Sequence, residues 1–159
     1  ELFTPLARAR KMMLASSLEA NAVVSFDRDA LRQILLNLLD NAVKYGPAGQ
    51  TITVSSEVVG DRARISVEDQ GPGIPHTDRL RVWEPYVRLN RDVESATGGS
   101  GIGLSVVREL VTLHGGRTRA EGAPSGGARV VIELPLTQPD SNEASNESSG
   151  PNVQLKAVP

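Results

Sequence analysis

From residue 29 to 45, apolar residues recur at three- and four-residue steps. Leu31, Ile34, Leu35, Leu38, Leu39 and Ala42 fall on one face, which predicts an amphipathic helix. Asn37, Asn41 and Lys44, spaced by four and three, form a polar stripe on the same helix. Asp29 is its expected N-cap, and Gly46-Pro47-Ala48-Gly49 its stop. A second amphipathic helix is expected over residues 101–114, where Ile102, Val106, Leu110 and Leu113 repeat at helical spacing before Gly115-Gly116. Residues 51–55 and 63–68 alternate with a period of two, and Gly60-Asp61 between them predicts a hairpin. Further strands are expected at 23–26, 117–121 and 129–134, the last two joined across Ser125-Gly126-Gly127, and a short helix near residues 78–82. Helices and strands in this mixed order imply an α/β (α+β) two-layer sandwich, with a mixed, mostly antiparallel sheet covered on one face by helices.

The two ends differ from this middle. Residues 1–22 mix Leu, Ala and Met with basic residues and are expected to be an N-terminal helical segment. Residues 23–137 form the expected domain. From 138 to 159, Pro, Asp, Ser, Asn and Glu dominate, and too little apolar surface is available to offset ordering entropy, so a disordered polar tail is expected. The chain opens on Glu1, which suggests a piece of a longer protein.

Composition narrows the chemistry. The 159 residues carry a formal charge of -2 and no basic run, so nucleic acid is not an expected partner. There is no Cys and there are two His, which removes disulfides and thiolate metal sites and disfavours a His-rich one. No apolar run approaches the length of a membrane span, so direct membrane contact is not expected.

Three stretches can carry chemistry. The carboxamides of Asn37 and Asn41, in line with the Lys44 ammonium, can hold a metal ion and phosphate oxygens; an exposed polar face is the alternative. Asp69-Gln70-Gly71-Pro72-Gly73 follows a strand directly. Its carboxylate can accept a hydrogen bond from an exocyclic amine and its glycines let a ligand approach the backbone; an ordinary Asp-Gly turn is the alternative. Gly98-Gly99-Ser100-Gly101-Ile102-Gly103-Leu104 opens a helix, whose free N–H groups can bind phosphate. It is not a Walker loop, because no Gly-Lys-Ser/Thr follows, nor a dinucleotide fingerprint, because no strand immediately precedes it.

In this order the stretches resemble the motifs of the ATP-binding catalytic domain of sensor histidine kinases, within the wider group of gyrase, histidine kinase and MutL-type ATPases with a Bergerat-type fold. Asn37-Leu-Leu-Asp-Asn-Ala-Val-Lys-Tyr45 resembles the N box, Asp69-Gln-Gly-Pro-Gly73 the G1 box and Gly99-Ser-Gly-Ile-Gly-Leu104 the G2 box. Trp83-Glu-Pro-Tyr-Val-Arg-Leu89 resembles the F box, with Trp83 and Tyr86 in place of the usual Phe residues. The resemblance implies that ATP and Mg²⁺ are bound. Asn41 would be the principal Mg²⁺ ligand, Asn37 would assist, and Lys44 would face the phosphates. Tyr45 would pack near the adenine or ribose, and Asp69 would take the adenine amine, in a pocket shaped by Gly71, Gly73 and Ile74. Gly99, Ser100, Gly101, Ile102, Gly103 and Leu104 would border the triphosphate, and residues 74–100 would form the ATP lid. Arg88 would be a lid cation or a surface residue. Trp83 and Tyr86 are expected to pack the lid rather than touch nucleotide.

The implied activity is transfer of the γ-phosphoryl group of ATP to a histidine on a dimerisation domain outside this chain, serving a response regulator receiver domain. The implied location is cytoplasmic, in a parent that membrane segments elsewhere would anchor. His76 and His114 lack the context of the acceptor histidine, and packing or capping is the expected role of His114. Glu1-Leu-Phe-Thr-Pro-Leu6 resembles an acceptor box without its leading His, about thirty residues before the N box, too few for a two-helix hairpin at a 1.5 Å rise per residue. Two other readings remain: a nucleotide-sensing or partner-binding module without phosphotransfer, and an anti-sigma-type serine kinase, against which the F-box-like segment counts. A gyrase-like hydrolase would want a carboxylate base one turn before Asn41, where Asn37 stands.

Overall fold

The computed structural model describes residues 11–18, 22–89, 100–137 and 152–155. The elements run β1 (Met13–Leu18), β2 (Ala22–Ser25), α1 (Arg28–Tyr45), β3 (Thr51–Val59), β4 (Arg62–Glu68), two 3-10 turns (His76–Asp78 and Arg81–Trp83), α2 (Gly103–Leu113), β5 (Arg117–Gly122), β6 (Ala128–Pro135) and β7 (Asn152–Leu155). Five strands form one sheet in the order β1-β3-β4-β6-β5, antiparallel except for the parallel β1–β3 edge; β2 and β7 form a separate antiparallel pair. This is the expected mixed sheet with both helices on one face.

The period-two pattern fixes which face the helices cover. In the β3–β4–β6–β5 register, the rows Val54–Val67–Val130–Ala120 and Ser56–Ile65–Ile132–Thr118 share one face. Ile65, Val67 and Ile132 are buried there in one cluster with Leu31, Ile34, Leu38 and Ala42 of α1 and Val107 and Val111 of α2. The opposite face is polar. Arg64 reaches Glu57 (2.9 Å) and Glu133 (3.0 Å), and Arg119 adds a second bond to Glu133 (3.2 Å). Hydrogen bonding to Glu57 foremost raises the Arg64 pKa above its ordinary value. α1 and α2 pack against each other above the sheet, which brings their polar edges together at one end.

Four expectations change. Asp27, not Asp29, caps α1: its side chain accepts from the Ala30 N–H at 2.8 Å, leaving Asp29 in the first turn, where it complements the helix dipole. The helix expected across residues 1–22 does not hold at Met13–Leu18, which is a strand. Leu and Ala favour a helix, but the free edge of β3 offers six residues of parallel pairing, and tertiary pairing overrides weak propensity. The disordered tail does not hold at Asn152–Leu155, whose backbone pairs with the edge of β2. The short helix near residues 78–82 is instead the two 3-10 turns. At the two ends, residues 1–10, 19–21, 138–151 and 156–159 lie outside the described residues.

His114 has the capping role expected of it. Its ring stacks on Phe26 at 3.8 Å, Nδ1 lies 2.8 Å from the Leu110 carbonyl, and Nε2 accepts from the Asp27 N–H at 3.3 Å. The side chain thereby joins the C-terminal turn of α2 to the start of α1.

Candidate nucleotide site

Between α1, the turn after β4 and the start of α2 lies a cavity of about 380 Å³. Asn37, Asn41, Lys44 and Tyr45 line it from α1, Asp69, Gly73 and Ile74 from the turn, Arg88 from the segment after the second 3-10 turn, and Ser100, Gly101, Ile102, Gly103 and Leu104 from the start of α2. The stretches around Asn41, Asp69 and Gly103, well separated in sequence, thus converge. Gly71 does not line the cavity, and Gly99 lies outside the described residues.

At one end, Asp69 is buried and held in a single orientation. Its Oδ1 accepts from the Gly71 N–H (2.8 Å) and the Ala128 N–H (3.0 Å), while its own N–H donates to the Ala128 carbonyl (3.0 Å). Among the described residues no further hydrogen bond reaches Oδ2, which is left as an acceptor where Asp69 lines the cavity. The neighbouring glycines serve close approach. A Cβ on Gly71 would lie 2.8 Å from the Tyr45 carbonyl, and one on Gly127 would lie 1.9 Å from the Asp69 carbonyl oxygen. Gly127→Ala is therefore expected to cost about 3 kcal/mol of stability and to weaken nucleotide binding by displacing Asp69. A thermal melt with a parallel ATP titration checks both.

At the other end, α2 begins beside α1. A Cβ on Gly103 would stand 3.8 Å from Asn41 Oδ1 and 4.0 Å from Asn37 Cγ, in van der Waals contact with both, so Gly103 faces the two carboxamides. No side chain caps α2, and its first N–H groups carry partial positive charge without intrahelical acceptors. Lys44 does not reach toward this end: it pairs with Asp40 one turn back. Such a partly exposed pair is worth only about 0–1 kcal/mol and exchanges readily for another anion. Asn37 Oδ1 accepts from Gln33 Nε2 at 3.3 Å.

Of the expected lid, residues 90–99 lie outside the described residues, and the part before them is tied to the start of α2. The Tyr86 N–H donates to the Gly101 carbonyl at 3.0 Å, and the two backbones are so close that a Cβ on Gly101, already at φ +71°, would lie 3.0 Å from Tyr86 Cα. Trp83 is buried in the main core, as expected of a packing residue. Tyr86 is 75% exposed, unlike the packing residue expected there.

The chemistry of the donor set can be tested against a metal ion. Among the described residues no group of three or more His, Cys, Asp or Glu is placed to hold one. Asn37 and Asn41 offer neutral oxygens only. Such a pair suits a hard cation whose remaining ligands are waters and the oxygens of a bound anion.

Gln33, Asp40, Ala128 and Val130 also line the cavity. Gln33 continues the four-residue spacing of Asn37 and Asn41, so periodicity alone would have found it. Ala128 meets Asp69 across 59 positions, a contact for which no local pattern gives a signal.

Comparison with known proteins identifies the family. Residues 26–138 match the family described as "Histidine kinase-, DNA gyrase B-, and HSP90-like ATPase". Sensor histidine kinase TmoS of Ectopseudomonas mendocina is 35% identical over 156 residues, covering 95% of this chain but only 16% of TmoS. Among solved structures, the mycobacterial sensor histidine kinase MprB superposes with a TM-score of 0.71 at 31% identity, over 83% of this chain and 87% of that one. Full-length ShkA in complex with AMPPNP superposes with a TM-score of 0.70 at 31% identity, over 85% of this chain and 28% of that one. The chain belongs to the histidine kinase-, DNA gyrase B- and HSP90-like ATPases, and within them to the ATP-binding catalytic domains of histidine kinases. It spans about a sixth of TmoS, and among its described residues no helix is long and apolar enough to cross a membrane.

Proposed function

We propose that this domain binds Mg²⁺-ATP with the adenine at Asp69 and the triphosphate between Asn37, Asn41 and the start of α2, and presents the γ-phosphoryl group to a histidine on a dimerisation hairpin of its parent kinase. The observation that carries the reading is the orientation of Asp69. Two backbone N–H groups fix Oδ1, so Oδ2 is the acceptor offered to the exocyclic amine of adenine. Tyr45 and Ile74 then flank the base, and Gly73, at φ +72°, lets the turn run close to the Gly127 carbonyl.

At the far end the N–H groups of Gly103 and Leu104, with Gly101 and Ser100 before them, supply donors to phosphate oxygens without a side chain. The Asn41 carboxamide oxygen, assisted by Asn37, is the Mg²⁺ ligand set, and Lys44 leaves Asp40 for a phosphate oxygen. A Mg²⁺ ion held by these two carboxamides would supply positive charge to offset that developing on the leaving diphosphate. Arg88 adds positive charge from the lid.

The protein's own contribution is positioning. A ring nitrogen of the acceptor histidine bonds to the γ-phosphorus, the bond to the bridging oxygen breaks, and ADP leaves. A receiver domain of a response regulator then takes the phosphoryl group from that histidine. Because ATP is the substrate, the domain works on the cytoplasmic side of whatever membrane the parent spans.

The direct test mixes this chain with a histidine-bearing hairpin, Mg²⁺ and γ-labelled ATP. Acid-labile, base-stable label on the hairpin is the expected result. Free phosphate with an unlabelled hairpin would instead make the domain a hydrolase.

A further inference from the structure

Gln50 is almost fully buried, at 2% exposure, and its carboxamide is satisfied on both sides. Nε2 donates to the Ala42 carbonyl of α1 at 2.7 Å, and Oε1 accepts from the Gln70 N–H at 3.0 Å. Ala42 adjoins Asn41, and Gln70 adjoins Asp69. One side chain therefore links the element carrying the phosphate-end residues to the turn carrying the base-end residue.

Two features tighten the link. The contact is reciprocal, since Gln70 Oε1 accepts from the Thr51 N–H at 2.9 Å, next to Gln50. Gly46 is at φ -85°, an ordinary conformation, so its lack of a side chain serves space rather than backbone geometry. A Cβ there would lie 1.9 Å from Gln50 Nε2.

We propose that Gln50 is a positioning residue that sets the separation between the adenine end and the phosphate end of the cavity. This rests on the nucleotide reading above. ATP occupies both ends at once, so it gains from a fixed spacing, whereas a ligand that fills one end does not. Loosening the clamp therefore weakens binding of the whole molecule and spares its halves. A purely structural role would weaken all of them together.

The test is calorimetry on the full chain and on Gln50→Leu, with Mg²⁺-ATP, adenosine and Mg²⁺-tripolyphosphate as separate ligands. ATP affinity is expected to fall about tenfold, with adenosine and tripolyphosphate within about twofold of the unmodified chain. Unchanged ATP affinity, or an equal loss for all three, overturns the assignment. Gln50→Glu keeps the size of the side chain and guards against misfolding. As a carboxylate it sets an oxygen against the Ala42 carbonyl; protonated, it regains the donor and acceptor of glutamine. Its ATP deficit relative to the unmodified chain is expected to shrink from about pH 7 toward about pH 5, and a deficit independent of pH overturns the clamp. Failure of the unmodified chain to bind Mg²⁺-ATP would overturn the nucleotide reading itself, and this inference with it.

Discussion

Asp69→Asn is expected to lower ATP affinity about a hundredfold while leaving the melting temperature little changed. The two backbone N–H groups that hold Oδ1, from Gly71 and Ala128, require an acceptor at that position. An asparagine can satisfy them only with its carbonyl oxygen, which turns its NH₂ group into the cavity. A donor then faces the donor amine of adenine, and one buried hydrogen bond becomes a clash of like groups. Guanine carries a carbonyl oxygen where adenine has its amine, so the same substitution is expected to reduce the preference for ATP over GTP. Calorimetry with both nucleotides reads the two effects separately. Equal loss of both, with a lowered melting temperature, would mean that the turn had collapsed.

Asn41→Ala is the second large effect, and it acts at the other end. The carboxamide lies beside Gly103 at the start of α2, where, on the proposed reading, it would serve metal and phosphate rather than base. Without Mg²⁺, the variant and the unmodified chain are expected to bind ATP about equally. With Mg²⁺, only the unmodified chain gains affinity, and phosphotransfer by the variant falls by about a hundredfold. Titrations with and without a chelator, followed by a transfer assay, separate the two. A variant that retains the Mg²⁺-dependent gain would move the metal site away from Asn41.

The parts of the fold set by local periodicity were legible in the sequence. Leu31, Ile34, Leu38 and Ala42 predicted α1 and its buried face, and the alternation around Ile65 and Ile132 predicted the central strands. The two chain ends were not, because their structure comes from distant backbone. Met13–Leu18 is a strand because the edge of β3 is free, and Asn152–Leu155 pairs because β2 offers an edge. The site divides in the same way. Motif residues such as Asn41, Asp69 and Gly103 announced themselves by type and spacing. Ala128, Gly127 and Gln50 did not, since each acts through a contact made across the fold. Lys44 was expected to face the phosphates; it lines the cavity and pairs with Asp40, a contact that its four-residue spacing permits but does not dictate. Tyr86 was expected to pack the lid and is exposed, because its backbone rather than its ring is held by Gly101.

The central claim is that one cavity holds the base at Asp69 and the phosphates at the start of α2. A two-dimensional amide NMR titration with Mg²⁺-ATP and with Mg²⁺-tripolyphosphate tests it most directly. ATP is expected to shift the amides of Asp69, Gly71 and Ala128 together with those of Gly101, Gly103 and Leu104, and tripolyphosphate only the second group. ATP shifts confined to the polar face of the sheet around Arg64 and Glu133, or tripolyphosphate shifts centred on Asp69, would contradict it.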